Sequence, residues 1–332
     1  MEAMKTLLSL ALLFPIVSLA PADCPDCLPG TRKAKLCEPH ADAEKAELKA
    51  CASGLKKKVS EERLAALREL AALTEEHANA PSPMLVKTLA RGLGDEEDEV
   101  VLGTIELLGG QHPEAVLGAY SAYVKKLDKR SADLIKSADK VHARQEKRSS
   151  KRTKDPVKRR REELEDEAEL KELREEADAL DRIIDGMSAQ LGKMRDDRAV
   201  RALDAMLELG GRETTRNALA ELGNVDAAEA LLRDLERHVG RFETFAGVRR
   251  SLGEAAELTG QEVDTEIEKL YEDARKPVAE AHAALTKVAE SVKLGGPREL
   301  NPEVGEAWSK WMKLNGESLP PAFGRMRMPW DE

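Results

Sequence analysis

Cysteine is confined to one short stretch of this sequence. Cys24, Cys27, Cys37 and Cys51 are its four cysteines, and none follows Cys51. Thiols at this spacing offer three chemistries. In an oxidising compartment they form two disulfides, with three possible pairings. Cys24-Pro25-Asp26-Cys27 has the C-x-x-C spacing of a thioredoxin-type redox pair, in which one thiolate attacks and the other resolves, but no βαβ pattern surrounds it. Cys24, Cys27, Cys37 and His40 have the C-x2-C…C-x2-H arrangement that suits a structural zinc ion, with Cys51 left over. Disulfides are the leading expectation, and the other two stay open.

A second group of residues could bind anions. Arg144, Lys147, Arg148, Lys151, Arg152, Lys154, Lys158, Arg159, Arg160 and Arg161 are opposed within their own stretch only by Glu146 and Asp155. Such a cluster attracts acidic protein, envelope polymer or lipid headgroups. An acidic run begins at Glu162, so i,i+4 pairing along a helix can instead absorb these charges. Nucleic acid fits less well, because no aromatic residues interleave the basic ones and the chain carries a net charge of −10, which repels phosphate as a whole. A third group is Trp308 and Trp311, three residues apart on one helical face. In a chain with only 3 % aromatic residues they are either a binding site or the cap that the open end of a helical stack requires.

Nothing in the sequence assembles a catalytic centre. Its six histidines, His40, His77, His112, His142, His238 and His282, stand in no H-E-x-x-H or G-x-S-x-G context. There is no G-x-x-x-x-G-K-[ST] phosphate loop. The many paired carboxylates lie on charged helix faces, where solvation accounts for them. The expectation is a protein that is not an enzyme and needs no cofactor.

The elements that must position these groups are helical. Charged residues make up 35 % of the chain, with Ala, Leu, Glu, Lys and Arg dominant, and few aromatic residues are present to build sheet faces. Residues 1–22 have the layout of a secretory signal: Lys5, an apolar run from Leu7 to Leu19, and Ala20-Pro21-Ala22 before a cleavage point after Ala22. No later segment is apolar enough to span a bilayer, so the expected location is periplasmic or secreted. Residues 23–58 read as a cysteine-containing head. From there, short amphipathic helices alternate with turns: Leu85 to Leu93, Glu99 to Leu108 ending at Gly109-Gly110, Ala199 to Leu209, Glu213 to Leu222 ending at Gly223, Ala227 to Val239 stopping at Gly240, and Glu243 to Leu258. Each pair spans about 25 to 35 residues, the length of a helical repeat.

Three stretches carry a family likeness. They are Asp197-Arg198-Ala199-Val200-Arg201-Ala202-Leu203, Gly94-Asp95-Glu96-Glu97-Asp98-Glu99-Val100, and Val248-Arg249-Arg250-Ser251-Leu252-Gly253-Glu254-Ala255-Ala256-Glu257-Leu258. In these the chain resembles the HEAT family, in the compact bacterial form also called PBS-lyase HEAT-like repeats. The resemblance implies an α-solenoid over residues 59–260 whose surface holds protein partners. No residue here matches a pigment-attaching activity.

The repeats are interrupted. Leu117, Tyr120, Val124, Leu127, Ser131, Leu134, Ala138 and Val141 form one heptad seam, and Leu170, Leu173, Ala177, Leu180, Ile184, Met187, Leu191 and Met194 form another. Between them lies the basic stretch with Pro156, which breaks a helix. Residues 117–194 are therefore expected to fold as an antiparallel coiled-coil hairpin with the basic cluster at its tip. Residues 261–332 read as two helices, Val263 to Ala274 and Pro277 to Val292, then a short helix with the tryptophan pair and a proline-containing tail. The whole is expected to be all-α, a HEAT-like solenoid with an inserted hairpin, serving as an exported scaffold that holds protein or anionic envelope partners on its solenoid surface and basic tip. The alternative is a redox or metal-binding head on a helical spacer.

Overall fold

The computed structural model describes residues 38–76, 83–110, 113–149, 156–210, 212–259 and 265–321. The expected signal segment, Cys24, Cys27, Cys37, and the tip residues Lys151, Arg152 and Lys154 lie outside them. All regular structure among the described residues is helical, in eleven α-helices joined by turns and short 3-10 segments. None of these helices is long and apolar enough to cross a membrane.

The chain divides into two compact units, with the boundary after Arg91. The first contains α1 (Glu38–Gly54), α2 (Ser60–Glu76) and α3 (Pro83–Leu89). Each contributes a short apolar stripe to one core: Leu48, Cys51 and Ala52 from α1, Ala66, Leu67 and Leu70 from α2, and Leu85, Val86 and Leu89 from α3. At Gly54 an added methyl would lie 2.6 Å from the Ala66 Cβ, so the glycine allows α1 and α2 to close on each other.

The second unit contains α4 (Asp98–Gly109), α5 (Pro113–Ser149), α6 (Pro156–Met194), α7 (Val200–Glu208), α8 (Glu213–Leu222), α9 (Val225–Thr259), α10 (Thr265–Ser291) and α11 (Val304–Asn315). The expected first repeat is thus divided, with α3 ending one unit and α4 beginning the other. Helix α8 lies at the centre of the second unit, packed against α6, α7, α9 and α10, and buries Thr215, Arg216, Ala218, Leu219 and Ala220. Helices α5 and α6 run antiparallel, as the pairing of Arg130 with Glu176 at their middles and Arg148 with Glu162 near their joined ends requires. Nine of the sixteen expected seam residues are buried, and the other seven are half-buried. Leu117, Tyr120, Val124, Leu127 and Val141 are buried on α5, and Leu180, Ile184, Met187 and Leu191 on α6.

Two expected helix boundaries are absent. Gly240 and the residues after it do not separate two helices, because α9 continues from Val225 to Thr259. A helical glycine costs about 1 kcal/mol relative to alanine. Burial of Val239 and Phe242 on either side of Gly240 outweighs that cost. Likewise α10 continues through Pro277. Proline removes one backbone hydrogen bond, but Ala274, Val278 and Ala281 flank it as buried contacts, and α9 and α10 pack against each other along their length. Four expected short helices are therefore two long ones.

The glycines at helix stops do not all take positive φ. Gly223 does so, with φ 62° after α8, but Gly110 has φ −79°. Gly109 instead gives room, since an added methyl would lie 2.3 Å from Gln190 Oε1. The left-handed positions after α6 and α10 are taken by Arg195 (φ 48°) and Lys293 (φ 59°). After α10 the Leu294 N–H donates to the Ala289 carbonyl and the Lys293 N–H to the Glu290 carbonyl, closing a Schellman turn. Helix α9 begins on Asn224, whose Oδ1 accepts from the Ala227 N–H at 2.8 Å, a side-chain N-cap.

Candidate functional site

Arginines dominate the outer end of the α5–α6 pair, and the structure turns several of them toward carboxylates. Arg148 Nη1 donates to Asp166 Oδ2 at 2.5 Å and to the Glu162 carbonyl at 2.8 Å. Arg144 Nε lies 3.7 Å from Asp166 Oδ1, and its Nη2 donates to Glu169. Asp166 itself is only 2 % exposed. It is clamped between two cations of α5 at a depth where an unpaired carboxylate would be costly. Along α6, Arg159 pairs with Glu163, Arg161 with Glu165, and Arg160 with Glu163. The hydrogen bond from Arg159 holds the Glu163 carboxyl below the usual carboxylate range. Of the expected anion-binding residues, Arg148 is thus drawn into the hairpin as a structural clamp, and Arg159, Arg160 and Arg161 are matched by the acidic run that follows them.

The tryptophans are internal. Trp308 is fully buried and Trp311 is 7 % exposed, so neither ring is open at the surface, against the reading of the pair as a binding site. Helix α11 lies against α9. Trp308 Nε1 donates to His282 Nδ1 at 2.8 Å, and Trp311 Nε1 donates to the Gly295 carbonyl at 2.8 Å. Their rings meet edge to face with centroids 5.3 Å apart. Gly296 is required here, because an added methyl would lie 2.5 Å from the Trp308 ring. The pair fixes α11 to the body, as a terminal layer does. Burial pushes the His282 pKa below its ordinary value, consistent with a neutral ring that accepts at Nδ1 and carries its proton on Nε2.

Cys51 is a free, buried thiol, against the expectation that it joins a disulfide. It points into the α1–α2–α3 core, where its Sγ donates to Glu69 Oε2 at 3.8 Å. Burial first, and then the charge of Glu69, push its pKa up to about 11. A thiol so protonated is a poor nucleophile and a poor metal ligand. Among the described residues no group of three His, Cys, Asp or Glu side chains is placed to hold a metal ion.

A buried ionic cluster that the sequence reading missed lies within the second unit. Arg216 of α8 is 1 % exposed. Its Nε donates to Asp234 Oδ2 at 2.7 Å and its Nη1 to Glu280 Oε2 at 2.5 Å, joining α8 to α9 and α10. His238, one turn after Asp234, places Nε2 3.4 Å from Asp234 Oδ1. It sits inside α9 and not at a helix end. Burial raises the Asp234 pKa, but His238 and Arg216 beside it outweigh that, and the carboxyl stays below its ordinary range. The signal was present in the spacing: Arg216 precedes the inward Leu219 by three residues and Ala220 by four, so it occupies the buried stripe of α8.

Two of the concave surfaces of the second unit involve α9. One, of about 440 Å³, is lined by Phe242, Arg249, Glu268 and Tyr271 together with Leu300 and Pro302. There Arg249 lies over the Tyr271 ring at 4.6 Å and pairs with Glu268 at 2.8 Å. The other, of about 740 Å³, runs between α9 and α11. Neither brings together a nucleophile and a base. No protein-family model matches the chain, and no curated protein matches it.

Proposed function

We propose that this protein is a non-catalytic binding scaffold, in which α5 and α6 form a stiff coiled-coil arm that presents the residues between them to an acidic protein partner. The Asp166 clamp carries this reading. A carboxylate buried between Arg144 and Arg148 ties the two helices together far from the apolar base, where the seam residues Ser131, Leu134, Leu170 and Leu173 are only half-buried. Buried ion pairs of this kind serve geometry better than stability, and a rod held straight to its end suits a part whose end does the work. Beyond Arg130, which joins Asp98 of α4 to Glu176 of α6, roughly 20 residues of each helix at about 1.5 Å per residue give an arm on the order of 30 Å.

The body behind the arm is read as HEAT-like, with α7 and α8 as its best-formed repeat, and the chain as an exported one. The test is a photo-activated crosslinking residue placed at Ser150 and, separately, at the exposed Arg201 of α7. A partner captured at Ser150, and lost when Lys147, Lys151, Arg152, Lys154 and Lys158 are changed to serine, supports the reading. Capture only at Arg201, or capture at Ser150 that survives the serine changes, overturns the tip as the contact.

A further inference from the structure

The groove between α9 and α11 has an unusual relation to the chain that leaves it. One wall is a single stripe of α9, Val225, Glu229, Leu232 and Glu236, spaced by four, three and four residues. The other wall includes Met312 and Lys313 of α11 and Glu317 and Leu319 of the turn that follows. The two helices are antiparallel: Ser309 Oγ donates to Glu236 Oε1 at 2.7 Å near one end of the groove, and the Val225 N–H donates to the Pro320 carbonyl at 3.0 Å at the other. That last bond tethers the chain to the first turn of α9. The next residue, Pro321, is itself part of the groove lining. The floor is apolar, and the rim carries three carboxylates against one lysine.

The residues that follow Pro321 have the complementary character. Ala322-Phe323-Gly324-Arg325-Met326-Arg327-Met328-Pro329-Trp330 carries four large apolar side chains and two arginines, with no acidic residue before Asp331. From Val225 to Glu236 the groove is about 16 Å long at 1.5 Å per helical residue. About five residues at 3.1 Å each, in the extended conformation with three residues per turn that would set Phe323 and Met326 on one face, cover that distance, so residues 322–327 suffice.

We propose that the α9–α11 groove is the docking site of the chain's own residues 322–332, with Phe323 and Met326 on the Val225–Leu232–Met312 floor and Arg325 and Arg327 against Glu229, Glu236 and Glu317. The tether at Pro320 makes the encounter intramolecular, so the effective concentration is in the millimolar range for so short a connection, and modest complementarity is enough to fill the groove. A partner segment of the same basic and apolar character must then displace the tail to bind here. This inference is independent of the arm.

The test uses the full chain with a photo-crosslinking residue in place of Leu232 or, separately, Met312. Mass spectrometry is expected to find both joined to residues 322–332 of the same molecule. Arg325→Glu with Arg327→Glu is expected to lower that yield several-fold. Adding Glu229→Lys and Glu236→Lys to this variant is expected to restore it. Crosslinks from both positions that avoid residues 322–332 overturn the proposal. So do crosslinks that join differently labelled molecules in a mixture, which would make a second copy the occupant. A yield unchanged by the arginine reversals overturns the charge pairing on which the docking rests.

Discussion

Asp166 and Asp234 are both buried carboxylates held by arginine, but they stand in different surroundings. Asp234 lies in the body of the second unit, and its partner Arg216 is as buried as it is, at 1 %. The same guanidinium reaches Glu280 on a third helix. Asp166 lies on the outer half of the α5–α6 pair, and its partners Arg144 and Arg148 keep 46 % and 28 % of their side chains in solvent. The body cluster therefore joins three helices with charges that have lost most of their water. The arm clamp joins two helices with cations that keep much of theirs. Desolvation decides what breaking each one costs, because a cation that stays wet needs no partner and a buried one does.

The largest effect is expected at Arg216. Arg216→Ala leaves Asp234 buried without its main counter-charge and is expected to cost about 3–5 kcal/mol, read as a fall in the midpoint of denaturant unfolding. Asp234 has a folded pKa below its unfolded one, so its contribution is present above the ordinary carboxylate range and is lost as the pH falls through the lower, folded value. With Arg216 gone, burial acts on Asp234 with less opposition, and acid unfolding should move to higher pH. An Arg216→Met, Asp234→Leu double variant that is no more stable than Arg216→Ala would break the comparison, since replacing both charges should recover much of the loss.

A smaller and more local effect is expected at the arm. Asp166→Ala should cost roughly 1–3 kcal/mol of local stability, seen as faster amide hydrogen exchange in the outer turns of α5 and α6. Exchange in α8 should stay the same. If α8 also loses protection, the arm and body are one cooperative element and the contrast drawn above fails.

Next is the histidine under α11. Burial lowers the His282 pKa, so protonation favours the unfolded chain, and stability should decline as pH falls below about 6.5, the ordinary histidine value. His282→Gln, which keeps a hydrogen-bond acceptor near Trp308 Nε1, should flatten this decline in thermal unfolding between pH 7 and pH 5. A slope unchanged by the substitution would remove His282 as its source.

The smallest effect is a gain. Lys293 holds φ 59° in the turn after α10, and Lys293→Gly relieves the strain on its Cβ for a stabilisation of about 0.5–1 kcal/mol. Arg195→Gly, after α6, offers the same test at the end of that helix remote from its pairing with Arg148. Equal gains at both would show that these two turns are equally well formed.

Much of the fold was legible because it depends on near neighbours. The buried part of the α5 and α6 seams, the start and end of α8 and its stop at Gly223 follow from spacing and capping along one stretch of chain. The cysteine reading was harder to judge, because Cys51 belongs to a stripe with Leu48 and Ala52, a pattern that signals core as readily as pairing. Trp308 shows the same ambiguity from the other side: spacing placed it correctly on one face with Trp311, but only the contact with His282, 26 residues earlier, shows that the face is covered.

By itself, then, the order of residues determined that the described segments would be helical and much of what α5 and α6 bury, because a helix and its apolar stripe are properties of residues within a few turns of one another. Tertiary structure alone decided that α9 passes through Gly240, that α10 passes through Pro277, and that Arg216 is buried while its charge is kept. Those outcomes depend on packing and counter-charges supplied by helices distant in sequence, such as Glu280, 64 residues from Arg216. The energies they supply exceed the local costs that spacing alone would have flagged as breaks.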